Sequence, residues 1–374
     1  MNIPLDQVDK HLAKMWDGAT RHDQATARTT LLTLVIIVTE DAMLERVNKV
    51  IADVVEAQPV RTIVVSSAPG GDAEIIANAA LHMNSQNQPS GDAITLLAKG
   101  NARHWLPENI DRFILSGMPC CVWWVGDLPD RDNLFERMVE RSDLTLINSA
   151  EMDLRDLNKV ADIADKFRQT AIADFTWARL RGMQDLIARF FDHPDAAPYL
   201  DELTRITFAF SPRENDIDVA STRVGLLLGW ICHALHLDTQ HAKWYLKKGA
   251  AQIVLHRSGG NYPEVTIHIQ RDKRPGVHDG ALTRIELAAG ADDEALFTIA
   301  RQDDPANVLW TARIPNVVIP PQVMHFESHN EGRMLRRCLE NPVRDPLFEQ
   351  SVRAAREILR SVAPRLSGPP STYR

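Results

Sequence analysis

Four cysteines in 374 residues, Cys120, Cys121, Cys232 and Cys338, are too few for a disulfide framework. Two of them are neighbours, and a disulfide between adjacent residues is strained, so Cys120-Cys121 reads as a pair of buried, reduced thiols. Long apolar runs are also missing. The longest, Leu31–Val38 and Val224–Leu235, fall well short of the ~18 residues a membrane span requires. The opening MNIPLDQVDKHLAKMW has no signal-peptide pattern, so the expectation is a cytoplasmic protein. No run of Lys and Arg is sustained, and the formal net charge of −8 argues against nucleic acid and anionic membranes as partners. Catalytic signatures are absent too: there is no G-x-G-x-x-G, no G-x-S-x-G and no H-E-x-x-H. No catalytic, cofactor-binding or metal-ligating residue is therefore assigned, and no cofactor is expected.

What is present is an alternation of strand and helix patterns over residues 1–150. Leu31–Val38 (LLTLVIIV) is a β-branched run of the kind buried on both faces of a parallel sheet. Met43, Leu44, Val47, Val50, Ile51, Val54 and Val55 then recur at three- and four-residue spacing until Pro59, which predicts an amphipathic helix. Thr62–Ser66, Ile94–Ala98, Cys120–Val125 and Leu144–Ile147 read as further strands. Asp72–Asn84, Asn109–Ser116 and the stretch around Leu134–Val139 read as helices. This gives an N-terminal, doubly wound, mostly parallel α/β domain, flavodoxin-like or Rossmann-like without a phosphate loop. Residues 151–200 read as a helical bridge, with one helix over Leu154–Phe167 and another over Phe175–Phe191. A smaller α+β domain with an antiparallel sheet is expected over 201–345: a strand at LTRITFAFS, a buried helix over Ser221–Leu237 and short strands from Ala251 to Ala312. Residues 346–374 are expected to form a helix near Leu347–Leu359 and a frayed tail.

Three constellations carry candidate chemistry. Ala68-Pro69-Gly70-Gly71-Asp72 follows a strand where a glycine loop could cradle phosphate, but two adjacent glycines are only a fragment of that fingerprint, and a plain turn is the better reading. Cys232, His233, His236 and His241 are close in sequence, yet Cys232 belongs to the apolar stripe with Leu228 and Leu235, and the spacing is unlike a zinc site. His325-Phe326-Glu327-Ser328-His329 has the wrong order for a metalloprotease helix. Trp123 and Trp124 point to opposite faces of one strand; either both are core, or Trp124, near the strand end, helps to form a binding surface.

Taken in order, RTTLLTLVIIV (Arg28–Val38), PVRTIVVSS (Pro59–Ser67), GMPCCVWWVGDLP (Gly117–Pro129), SDLTLINSA (Ser142–Ala150), DFTWARLRGMQDLIARFFD (Asp174–Asp192) and STRVGLLLGWICHALHL (Ser221–Leu237) resemble one family. That family is the glucose-6-phosphate dehydrogenase assembly proteins, OpcA. The resemblance implies a non-catalytic protein that binds glucose-6-phosphate dehydrogenase and favours its active oligomer, an allosteric activator of the oxidative pentose phosphate pathway. In cyanobacterial members cysteines make the activation sensitive to thioredoxin; no cysteine here aligns with those positions. The resemblance does not identify the interface. Trp124, Arg179 and Arg181 are the candidates, because aromatic and Arg side chains dominate interface energetics; core packing and intramolecular ion pairs are the alternatives. A competing reading is a nucleotide- or sugar-phosphate-binding enzyme or sensor that uses Ser66–Asp72 and Asp127 at the carboxyl ends of the first domain's strands.

Overall fold

The computed structural model describes residues 2–21, 30–213, 220–247, 249–259, 261–326, 330–340 and 342–361. The chain divides into two compact units. Unit 1 takes Met1–Glu151, Ile163–Phe175 and His329–Asp345; unit 2 takes Met152–Asp162, Thr176–Ser328 and Pro346–Arg374. Residues 151–200 are thus not a separate bridge, and 329–345 belong with the first unit rather than the second. The tail SGPPSTYR lies outside the described residues.

Unit 1 is built on a seven-stranded sheet of β1 (Thr33–Val38), β2 (Val60–Ala68), β3 (Glu74–Met83), β4 (Pro89–Lys99), β5 (Cys120–Val125), β6 (Leu144–Ile147) and β7 (Ala171–Asp174). Their order is β3-β4-β2-β1-β5-β6-β7, and every pairing except β3–β4 is parallel. Its helices are α1 (Val8–Arg21), α2 (Leu44–Ala57), α3 (Leu106–Asp111), α4 (Asn133–Arg141) and the end of α5 (Leu157–Lys166). The central strands β1 and β5 are buried along their whole length, as their apolar sequences require. Helix α2 buries Val47, Val50, Ile51, Val54 and Val55, one continuous stripe, and stops just before Pro59. Asp132 caps α4, its carboxylate accepting from the Phe135 N–H at 2.8 Å.

Two sequence expectations are corrected here. Asp72–Asn84 is not a helix; its core is strand β3, paired antiparallel with β4 from Glu74↔Lys99 to Met83↔Pro89. The alanine-rich EIIANAALHM carries helix propensity, but pairing along a ten-residue edge outweighs that weak preference. The expected helix over Asn109–Ser116 lies earlier, as a 3-10 turn (Gly100–Trp105) running into α3, because Pro107 favours a helix start.

A buried polar centre fixes this edge of the sheet. Asp92 on β4 is fully buried and stands beside Arg61 on β2 in register. Arg61 donates to Asp92 Oδ2 from Nε and Nη2 at 2.9 and 2.7 Å, and from Nη1 to the Phe113 carbonyl at 3.0 Å. The Trp16 indole N–H of α1 donates to Asp92 Oδ1 at 2.7 Å.

Unit 2 is built on nine strands: β8 (Leu203–Phe210), β9 (Leu237–Lys247), β10 (Ala250–Arg257), β11 (Glu264–Arg271), β12 (Leu282–Ala289), β13 (Ala295–Arg301), β14 (Asn307–Ile314), β15 (Val317–Val318) and β16 (Gln322–His325). The order is β15-β14-β13-β12-β8-β11-β10-β9, with β16 beside β14, and only β8–β11 is parallel. Helices α6 (Phe175–Ala188), α7 (Thr222–Ala234) and α9 (Pro346–Arg360) belong almost entirely to this unit, while α8 (Glu331–Glu340) returns to unit 1. Inward residues Ile267, Ile285, Phe297 and Trp310 alternate with more exposed ones along their strands, while central β8 is buried on both faces from Ile206 to Phe210. Phe190 stacks on Trp310 with ring centroids 4.4 Å apart. Helix α7 is apolar around most of its circumference because α9 crosses it. They meet so closely that a β-carbon on Gly229 would overlap the Ser351 carbonyl oxygen.

Gly229→Ala is expected to destabilise unit 2 by about 3 kcal/mol through overpacking at this crossing, read as a lower urea midpoint. Asp92→Asn is expected to cost about 3 kcal/mol in unit 1 by removing the buried counter-charge of Arg61, whose Nη1 keeps the exposed Asp9 carboxylate at 3.5 Å. The double variant Asp92→Leu, Arg61→Met should recover much of that loss, giving a clear coupling energy in the same urea titrations.

Candidate functional site

Open parallel sheets bind ligands beyond their strands' carboxyl ends, at the point where the order reverses. Here that point lies between β1 and β5. The residues after β1 are Thr39, Glu40 and Asp41; those after β5 are Gly126 and Asp127. Thr39 stitches the two strand ends together, donating to the Val125 carbonyl from its backbone N–H at 3.2 Å and from Oγ1 at 3.1 Å. Gly126, at φ 111°, lies so close to Thr39 that any β-carbon would overlap its hydroxyl. The exposed side chains around this seam are carboxylates: Glu40, Asp41 and Asp127. A phosphate placed here would meet negative charge rather than the open N–H groups it needs.

The neighbouring strand ends are likewise occupied by the protein's own groups. Ser149, just after β6, donates from N and Oγ to the Asp174 carboxylate at the end of β7, at 3.0 and 2.6 Å. Arg46 on α2 is clamped between Glu151 and Glu331, its Nε donating to Glu331 Oε2 at 2.5 Å, while Asn148 donates to both carboxylates. The hydrogen bonds that Arg46 donates to Glu331, reinforced by Glu151, raise its guanidinium above its already high range and keep it charged. These partners are up to 285 residues apart in sequence, so no local pattern announces the clamp.

The Gly70-Gly71 loop leads into strand β3 and not into a helix, so no helix N-terminus stands behind it to receive an anion. The cysteine–histidine group is dispersed: Cys232 is buried in α7, and His241 is exposed with its Nδ1 2.7 Å from Asp238 Oδ2. His325 closes β16, and Glu327, Ser328 and His329 lie outside the described residues. Among the described residues no group of three His, Cys, Asp or Glu is arranged to hold a metal, and no helix is long and apolar enough to cross a membrane.

Trp124 is 2 % exposed. Its ring meets Phe135 of α4 edge-on at 4.9 Å, and its indole N–H donates to the Asp127 carbonyl at 2.9 Å. It is therefore a core residue that locks the β5–α4 turn, and the surface reading of Trp124 is withdrawn. Trp123 faces the other way and packs on Phe175 at 5.6 Å. Arg179 and Arg181 both lie on α6, the first half-buried and the second exposed, and neither is without a partner.

Residues 51–162 match the glucose-6-phosphate dehydrogenase subunit N-terminal domain, and residues 170–352 match the C-terminal domain of the same subunit. The chain belongs to the glucose-6-phosphate dehydrogenase assembly (OpcA) family. A Synechocystis sp. protein described as an OxPP cycle protein, OpcA, is 26% identical over 144 residues, which is 38% of this chain and 29% of that protein. The match thus spans less than a third of the relative's length. Two solved structures are similar in fold. One is an oxidoreductase from Sinorhizobium meliloti (11% identity, 90% of this chain and 99% of that one, TM-score 0.50). The other is described as an NADPH-dependent oxidoreductase from Desulfitobacterium hafniense (10% identity, 90% and 96%, TM-score 0.50). At such identities the likeness is one of fold alone.

None of the four cysteines is in a disulfide. Burial pushes the Cys120 and Cys121 thiols up to about 12 and raises that of Cys232 as well, so at pH 8 all three stay protonated and poorly nucleophilic. Alkylation of the native protein at pH 8 is expected to label the half-buried Cys338 alone, with the other three reacting only after denaturation, as peptide mass mapping would show.

Proposed function

We propose that this chain is a non-catalytic assembly factor and allosteric activator of glucose-6-phosphate dehydrogenase, acting in the cytoplasm on the oxidative pentose phosphate pathway. The observation that carries the reading is the ordered match of both family domains across residues 51–352. The stitched, carboxylate-lined seam between β1 and β5 supports it, because an enzyme on this architecture would use that edge for its phosphate-bearing cofactor. The same geometry weighs against the nucleotide- or sugar-phosphate-binding alternative at Ser66–Asp72 and Asp127.

The mechanism is a population shift. A scaffold that binds the dehydrogenase's active oligomer better than its other forms moves the equilibrium by that difference in binding free energy. Reciprocity then requires substrate to tighten the complex wherever substrate favours the same form. With Trp124 in the core, Arg181 on the exposed side of α6 is the leading interface position, with half-buried Arg179 beside it.

Titration of the purified chain into glucose-6-phosphate dehydrogenase of the same organism, at sub-saturating substrate, is expected to raise NADPH production saturably, with co-elution on size exclusion. Arg181→Glu should weaken the apparent affinity about tenfold, the loss of one interface anchor. No rate increase and no co-elution, with both proteins folded, would overturn the assembly reading.

A further inference from the structure

A cleft of about 240 Å³ lies in unit 1 between α2 and the faces of β2, β4 and β3. Its origin is the replacement of a crossover helix by strand β3. In a doubly wound sheet the segment after β2 would lie over this face as a helix. Here that segment is itself a strand, and α1 packs on the opposite face through Trp16 and Asp92. The ceiling is the α2 flank Ile51, Ala52 and Val55, and the floor includes Val64 and Ala93. One end is closed by the protein itself: Glu56 accepts from the Ser85 backbone N–H at 2.7 Å and its hydroxyl at 2.5 Å, and the Ser90 hydroxyl donates to the Val55 carbonyl at 2.9 Å.

The polar groups are Asn48 on α2 and side chains of the strands. A β-bulge at His82 and Met83 re-aims this end of β3, and the His82 ring nitrogen Nε2 sits 2.7 Å from the Thr62 hydroxyl. Burial draws His82 down to about 4, so its imidazole is neutral at physiological pH and offers one donor and one acceptor. Thr95 adds a second hydroxyl. On the same face, opposite Thr95, Asn78 has a buried side-chain oxygen with no hydrogen-bond partner. No Asp, Glu, Lys or Arg lines the cleft.

This lining selects by chemistry. An ion would lose its hydration with no counter-charge to replace it. A polyol carries hydroxyls all round, and those turned against Ile51, Val55 and Val64 would find no partner on these side chains. A flat, neutral ring lays a face against the apolar α2 flank and turns its polar edge toward Thr62, Thr95 and His82. We propose that the cleft binds an uncharged, planar heterocycle of nucleobase size, held along its edge by Thr62, Thr95 and His82. The site is separate from the proposed partner interface, and nothing in its argument depends on that reading.

The test is a titration of the full chain, carrying ¹⁵N-labelled histidine, with adenine and with uracil, using glucose and inorganic phosphate as controls. The His82 ring signal is assigned by its loss in His82→Gln. A saturable shift of that signal with at least one base, and none with glucose or phosphate, is expected. Ala52→Trp, which fills the cleft from the exposed side of α2, should abolish the shift, and the near-isosteric Thr95→Val should weaken binding at least tenfold. The proposal is overturned if neither base shifts the signal up to its solubility limit. It is also overturned if glucose or phosphate binds as well as the bases, or if Thr95→Val binds with unchanged affinity.

Discussion

A carboxylate with no access to water must find its partners within the protein, and Asp92 finds them on two other elements. Arg61 reaches it from the adjacent strand β2, Trp16 from helix α1, and its own strand β4 supplies the backbone that holds it there. Slipping β4 by one residue against β2 would carry Asp92 to the opposite face and deprive the Arg61 guanidinium of its buried counter-charge. The pair therefore sets the register of β2 and β4, and with it the position of β3, which pairs with β4 alone among the strands.

From that register follows the unusual half of the first sheet. With β4 fixed beside β2, the chain between them has to travel outward and come back, and it does so as an antiparallel strand. The cost of a strand in place of a covering helix is an incompletely roofed sheet face. One face of this edge receives α1, anchored by the Trp16 indole. The other is only partly covered by α2, and the cleft floored by Val64 and Ala93 is what remains. Small side chains at Ala80 and Ala93 keep bulk off this face. One buried polar contact thus organises both a packed face and an open one.

How much of this could be read from the sequence depended on where the information resides. Fully buried strands such as TLVIIV and CCVWWV carry their burial in composition, and the α2 stripe carries it in spacing, so these elements were legible. Five of the nine strands of the second sheet were legible as short runs between turn residues, along with β8. Strand β3 was not, because an edge strand of alanine and mixed apolar residues satisfies a helical pattern as well as an alternating one, and the deciding term is pairing with residues downstream. Strand β9 was hidden by its polar edge sequence, and α8 by its return to the first unit from far along the chain. Trp124 shows the same limit at the level of a single side chain: its place next to a strand end suggested a surface, yet Phe135 and the Asp127 carbonyl, both within a dozen residues, enclose it.

The carboxyl edge of the first sheet brings these points together. A fold of this kind is suited to dinucleotides only if the first turn leaves backbone N–H groups facing an open space and permits close approach by glycine. This chain has a glycine at the seam, but it is used differently. Gly126 lets Thr39 come up against the end of β5, so the absence of a side chain here serves contact between two strand ends. Next to the seam, Arg46 neutralises carboxylates that belong to the protein, a task that leaves its charge committed rather than available to an incoming phosphate. The residue types found at this edge (glycine, arginine, serine and carboxylates) are those of many active sites. What differs is that Ser149 with Asp174, and Arg46 with Glu151 and Glu331, have hydrogen bonds made to one another, and polar groups satisfied in this way contribute rigidity.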